Sequence, residues 1–166
     1  YPLPTPQLDR FLFKIRMHHI PRDAEMEVLA QYPAKAVDLP LSFQKVNRHD
    51  ILRGRQSILN QVSIAPEIKS GLVDFARALR EDPRVLQGPS TRSLVLALPA
   101  LAAHAVLSGR DFVAPHDFNR VGKEIFEHRI QVVPGAESTF DVLRDHAERA
   151  VERWRTQLTR GAAPGA

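Results

Sequence analysis

The sequence predicts a mainly α-helical bundle preceded by a short extended or strand segment, and three patterns carry that prediction. From Pro21 onward, apolar residues recur at three- and four-residue spacings, which puts them on one face of successive helices. Proline, serine and asparagine stand where these helices begin, and glycine or proline where several of them end. Only Phe11 to Met17 departs from the helical period, alternating Lys14 and Arg16 with Phe13, Ile15 and Met17 in the two-residue rhythm of a strand.

Taken in order, Tyr1 to Pro6 holds three prolines in six residues and reads as extended or turn-like. A strand over Phe11 to Met17 finds no partner in the later pattern, so its ladder is expected in another part of a longer protein of which this chain is a piece. Pro21-Arg22-Asp23 opens a helix to about Tyr32, with Met26, Leu29 and Ala30 on its buried face and Pro33 ending it. Ala36 to Phe43 reads as an extended connector around Asp38 and Pro40. Asn47, with Asp50 three residues on, starts a helix to about Asn60.

Pro66 fits the first turn of the next helix, whose Ile68, Leu72, Phe75, Ala76 and Leu79 share one face. Thr91 to Ser108 is apolar nearly all round, which predicts the central element of the bundle, stopped by Gly109. Within it Pro99 cannot donate to the carbonyl of Val95, so a kink or local break is expected. Pro115 opens a helix through about His128 that turns Phe118, Val121, Ile125 and Phe126 inward. After a linker with Pro134 and Gly135, Ser138 and Asp141 have capping-box spacing. The last helix carries an apolar seam of Phe140, Leu143, Ala147, Val151, Trp154 and Leu158. Its other face has Asp141/Arg144, Arg144/Glu148 and Asp145/Arg149 at pairing distance, and the tail after Arg160 is expected to be disordered.

Composition narrows the function classes. With 43% hydrophobic and 25% charged residues over 166 positions, the chain can bury one substantial core. It has no cysteine, which removes disulfide and thiolate chemistry and favours a cytoplasmic setting. The longest nearly apolar run, Leu94 to Leu107, is too short for a bilayer and contains Pro99 and His104, so no membrane span is expected. The net charge of +4 invites a nucleic-acid reading, but only Lys45, Arg48, Arg53 and Arg55 cluster, and no aromatic residue is interleaved to stack on bases. A solvated helix face accounts for them.

Phosphate loops, His-Glu-x-x-His and Gly-x-Ser-x-Gly are all missing. His18 and His19 are adjacent and point to opposite faces of an extended segment, which prevents joint metal ligation. His104 reads as a hydrogen-bonded core histidine, and His116, His128 and His146 have no ligand spacing. No metal site is expected. Two arginines remain: Arg10 in Gln7-Leu8-Asp9-Arg10-Phe11 and Arg92 in Gly88-Pro89-Ser90-Thr91-Arg92. A guanidinium presents a planar fork suited to phosphate oxygens. Arg92 stands in the first turn of a helix, where a cation is unfavourable unless an anion is close. Surface solvation is the competing reading of each.

The run Tyr1-Pro2-Leu3-Pro4-Thr5-Pro6-Gln7-Leu8-Asp9-Arg10-Phe11 resembles the arginine-finger region of the MoxR family of AAA+ ATPases. Gly88-Pro89-Ser90-Thr91-Arg92 resembles that family's sensor-2 motif, Ser108 to Phe118 its following turn and helix start, and Glu127-His128-Arg129-Ile130 the end of that helix. The likeness is collinear to Ile130 and looser to about Leu158. Pro99 and Ala114 depart from it, the first in a helix usually free of proline, the second where Thr is more usual.

The resemblance implies that residues 1–20 end a nucleotide-binding α/β core, with the arginine-finger segment and its last strand, that 21–160 are a helical lid, and that 161–166 are a tail. Arg10 would be catalytic, reaching toward the γ-phosphate held by a neighbouring subunit, and Arg92 would bind nucleotide phosphate. ATP and Mg²⁺ would be held by the parent protein, not by this portion, which alone would not hydrolyse ATP. The partners implied are the AAA+ core, neighbouring subunits of a ring, hexameric in the family, and a client that is a metalloprotein or a von Willebrand A-type domain protein. The function implied is chaperone-like remodelling or maturation. The alternatives are an independent helical module that binds nucleic acid or protein through the basic helix, or one that binds protein through the Phe140 to Leu158 seam.

Overall fold

The computed structural model describes residues 4–31 and 45–161. The element order is α1 (Thr5–Leu8), α2 (Arg22–Ala30), α3 (Arg48–Gln61), α4 (Pro66–Glu81), β1 (Val85–Gln87), α5 (Thr91–Leu107), α6 (Pro115–Phe126), a 3₁₀ turn (Glu127–Arg129), β2 (Gln131–Val132) and α7 (Thr139–Gly161). Among the described residues the fold is mainly helical with one small two-stranded sheet. The connector read over Ala36 to Phe43 and the last five tail residues lie outside the described residues.

Four aromatic side chains form the centre, where α4, α6 and α7 converge. Phe75 meets Phe118 and Phe126 edge-on at centroid distances of 5.0 and 5.3 Å, and Phe118 meets Trp154 at 5.0 Å, the arrangement aromatic quadrupoles favour. Gly71 makes room for this cluster: a Cβ built there would lie 1.7 Å from Trp154 Nε1. The face read from Ile68 to Leu79 is buried as expected. On α7 the seam is wider than read, because Val142 and His146 are buried beside Leu143, Val151 and Trp154.

Several helix boundaries follow their chemistry. Asn47 Oδ1 accepts from the Asp50 amide at 2.9 Å and starts α3. Ser138 Oγ accepts from the Asp141 amide at 3.2 Å before α7. Gly109 adopts φ 74° and terminates α5, a conformation glycine takes without strain.

Other expectations need correction. Thr5–Leu8 is a single helical turn, not extended, because Pro6 falls in the first turn, where its missing N–H costs nothing. Residues 11–20 find no partner edge among the described residues, in keeping with a ladder expected elsewhere in a longer protein, and Phe13, Ile15 and Met17 are exposed. On α2 no residue is buried, so Met26 and Leu29 have no core beneath them. Helix α5 runs unbroken through Pro99, and it flanks the centre instead of forming it: alanines and Leu101 face inward while Val95 and Leu107 are exposed. The apolar count alone could not show which side was covered. Of the three pairs read on α7, Asp141–Arg144 forms at 3.1 Å, while Arg149 donates to the Asp145 carbonyl and Asp145 pairs with Arg84.

The sheet was not read from sequence. Val85 pairs with Val132 and Gln87 with Gln131, antiparallel and with an irregularity between them. Strands of two and three residues carry too little pattern to see.

Candidate functional site

The chain bends back on itself so that the Arg10 segment lies against the start of α5 and the end of α6. Asp9 makes the connection. Its Oδ1 accepts from Ser93 Oγ at 2.9 Å and from Arg129 Nε at 3.1 Å, and its Oδ2 accepts from Ser90 Oγ at 3.3 Å. Ser90 is also the N-cap of α5, accepting from the Ser93 amide at 3.2 Å. Arg80 donates twice to the Pro89 carbonyl, at 2.9 and 2.7 Å, and fixes the turn leading into α5. The two sequence-derived arginines are therefore carried by segments that touch: Asp9 precedes Arg10, and Ser90 and Ser93 flank Thr91-Arg92.

Arg10 and Arg92 are exposed, and neither side chain hydrogen-bonds or ion-pairs with another group among the described residues. The positive end of the α5 dipole is served by a carboxylate, as its polarity favours, but that carboxylate is Asp9. The anion that the position of Arg92 called for is thus present in the chain itself. What marks Arg92 now is its freedom.

Arg129 is the counterpart of Asp9, and sequence reasoning missed it. Its side chain is 1% exposed. Beyond Asp9 Oδ1, it donates to the carbonyls of Ile125 at 2.5 Å, Leu12 at 3.4 Å and Asp9 at 3.4 Å, and to that of Phe11. Burial works against its positive charge, and the Asp9 carboxylate offsets that cost. Neighbours on the same turn hold the same segment. His128 Nε2–H donates to the Phe11 carbonyl at 2.9 Å, and burial pushes its pKa down, which favours the neutral ring. Glu127, buried, accepts from Arg16 Nε at 3.1 Å and faces Lys14 Nζ at 3.8 Å. Lys14 N donates to the Glu124 carbonyl at 2.8 Å. Three charged or polar residues in succession at a helix end, Glu127-His128-Arg129, read as a solvated terminus; only their long-range partners distinguish them.

A second buried network braces the α5–α6 turn. Asp117 is fully buried and accepts from His104 Nδ1 at 2.6 Å, Arg110 Nη1 at 2.9 Å and the Ala114 amide at 2.8 Å. Burial opposes its ionisation, yet Arg110, the Ala114 amide and His104 together hold its pKa at about 2. Asp117 reaches back to the Ala114 amide, one half of a capping box, while Ala114 offers no side-chain acceptor for the other half. His104 is the hydrogen-bonded histidine expected. A third set ties α7 to the loop after α4: Arg84 and, with it, His146 hold Asp82 far below the usual carboxylate range.

Lys45, Arg48, Arg53 and Arg55 are exposed, and Arg53 pairs with Asp50. Among the described residues no group of three His, Cys, Asp or Glu side chains is placed to hold a metal ion, and no helix is long and apolar enough to cross a membrane.

The helical body, its small sheet and the α5 start match a known family. Residues 77–150 match the family described as the AAA lid domain, and this part of the chain is an AAA lid domain. The chain is distantly homologous to Chaperone MoxR1 of Mycobacterium tuberculosis (strain ATCC 25618 / H37Rv), 28% identical over 158 residues that cover 87% of this chain and 38% of that protein. It is 32% identical over 136 residues to the uncharacterized protein YeaC of Bacillus subtilis (strain 168), covering 82% of this chain and 42% of YeaC. It also resembles the crystal structure of a candidate ATPase from Cytophaga hutchinsonii, with a TM-score of 0.76 and 27% identity over 89% of this chain and 48% of that one. The chain spans less than half the length of each of these relatives.

Proposed function

We propose that this chain is the lid end of a MoxR-like AAA+ ATPase that couples ATP binding and hydrolysis to chaperone-like remodelling or maturation of partner proteins. The observation that carries this reading is the pair of exposed, unpartnered guanidiniums, Arg10 and Arg92, on segments joined through Asp9. Each can offer its donor fork to phosphate oxygens without first breaking a bond.

In this reading ATP and Mg²⁺ are held by a nucleotide-binding core, the end of that core supplies Arg10 to the phosphates, and the lid supplies Arg92. Arg10 reaches the γ-phosphate bound by a neighbouring subunit of a ring and stabilises charge that develops as the phosphoryl group passes to water. Arg92 contacts nucleotide phosphate and favours the core-lid arrangement in which that bond exists. The client is a folded partner, a metalloprotein or a von Willebrand A-type domain protein, and the setting is the cytoplasm. The name of the M. tuberculosis relative, a chaperone, supports the remodelling role.

The test is turnover by the full-length protein. Arg10→Ala should preserve ATP binding and suppress hydrolysis, by about 10³-fold or more if Arg10 acts as arginine fingers do. Unchanged hydrolysis would remove Arg10 from the mechanism.

A further inference from the structure

We propose that Arg129, acting with Asp9, is a positioning residue that sets where Arg10 stands against the start of α5. The proposal rests on the reading of Arg10 as a phosphate contact. Among the described residues, 11–20 have no regular secondary structure, and the contacts seen on either side of Arg10 are made by the turn at the end of α6. The Arg129 fork grips the carbonyls of Asp9, Phe11 and Leu12 on both sides of Arg10, beside the His128 bond to the Phe11 carbonyl and the Arg10 amide bond to Gln7. The Asp9 carboxylate then bridges Arg129 to Ser90 and Ser93, on both sides of Arg92. A shift of the α5 start therefore pulls on Asp9, and through it on Arg10.

A latch needed for stability alone has a simpler solution, because apolar side chains of similar volume often replace a buried ion pair at no loss. What apolar packing does not supply is direction. Hydrogen bonds of defined angle from one planar group to four carbonyls and a carboxylate hold a single geometry. A reacting group misplaced by about 1 Å can lose on the order of 10²-fold in rate. Lysine would keep the charge opposite Asp9 but, as a point donor on a flexible stem, would lose most of the carbonyl bonds.

The experiment is a double-mutant cycle in the full-length protein, with ATP affinity, kcat and the thermal unfolding midpoint measured for each variant. Arg129→Lys and Asp9→Asn should lower kcat by on the order of 10²-fold while ATP affinity holds, and neither should lower it further in an Arg10→Ala background. Ser93→Ala, which leaves the Arg129 grip intact, should reduce kcat in the same direction by less, and decides the matter should Arg129→Lys fail to fold. A kcat unchanged in folded Arg129→Lys and Asp9→Asn, or in Ser93→Ala, or losses that multiply with Arg10→Ala, would overturn the positioning role and leave the phosphate-contact reading standing. Full hydrolysis by Arg10→Ala would instead overturn that reading itself.

Discussion

The aromatic centre and the Asp9–Arg129 junction are both buried, yet they are held by opposite means. Phe75, Phe118, Phe126 and Trp154 gain from area removed from water, a force without direction, and similar volumes can exchange with modest loss. The junction gains little from area. It depends on each donor meeting its acceptor, so the removal of one member leaves buried polar groups unpaired. The centre makes the domain fold; the junction decides where one loop sits on it.

Three outcomes would sharpen or break that contrast. The largest effect belongs to the centre: Trp154→Ala should cost about 3–5 kcal/mol in chemical denaturation, whereas Phe75→Leu, which keeps most of the volume, should cost far less. Equal losses for the two would show that the centre is as geometrically demanding as the junction.

Acid should separate the two regions next. Burial first, then the nearby Arg129 and Lys14 charges, lower the pKa of His128 in the folded chain, against the Phe11 carbonyl and Asp9, which favour the proton. The unfolded chain therefore binds the extra proton, so stability rises with pH: the contribution is present above about pH 6.5 and is lost as the pH falls below it. Asp117 follows the carboxylate course: its contribution is present above the ordinary aspartate value of 3.8 and is lost as the pH falls through about 2. Imidazole NMR shifts of His128 and the fluorescence of Trp154, the single tryptophan, report the two regions separately. A Trp154 signal that changes in step with His128 near neutral pH would show that the centre and the junction are one region.

The smallest effect is expected on α3, which buries no residue. Ile51→Ser, at a position 62% exposed, should change stability by no more than about 0.5 kcal/mol. A larger loss on thermal unfolding of the full-length protein would mean that this face is covered there.

Much of the helical body could be read from residue spacing, because α4, α6 and α7 each bury one face against the others and that burial writes a three-and-four rhythm into the chain. Asn47, Pro66, Pro115 and Ser138 marked their helix starts through local chemistry that needs no distant partner. The two arginines stood out for a similar reason: each sits in a short motif, and both proved exposed. By contrast, α2 and the Phe11 to Met17 alternation show periodicity without a buried face, since periodicity records which residues could be covered and not whether anything covers them.

The sequence by itself determined the order of helices α2 to α7, the apolar faces of α4, α6 and α7 and the two candidate phosphate contacts, all of which depend on neighbours a few residues apart. Only the tertiary structure decided that α5 flanks the centre, that Asp117 caps its own helix while holding His104 and Arg110, and that Asp9 joins the Arg10 segment to the Arg92 helix through Arg129. The reason is separation along the chain. Asp9 lies 81 residues from Ser90 and 120 from Arg129, and a hydrogen bond between such groups leaves no periodic trace at either end.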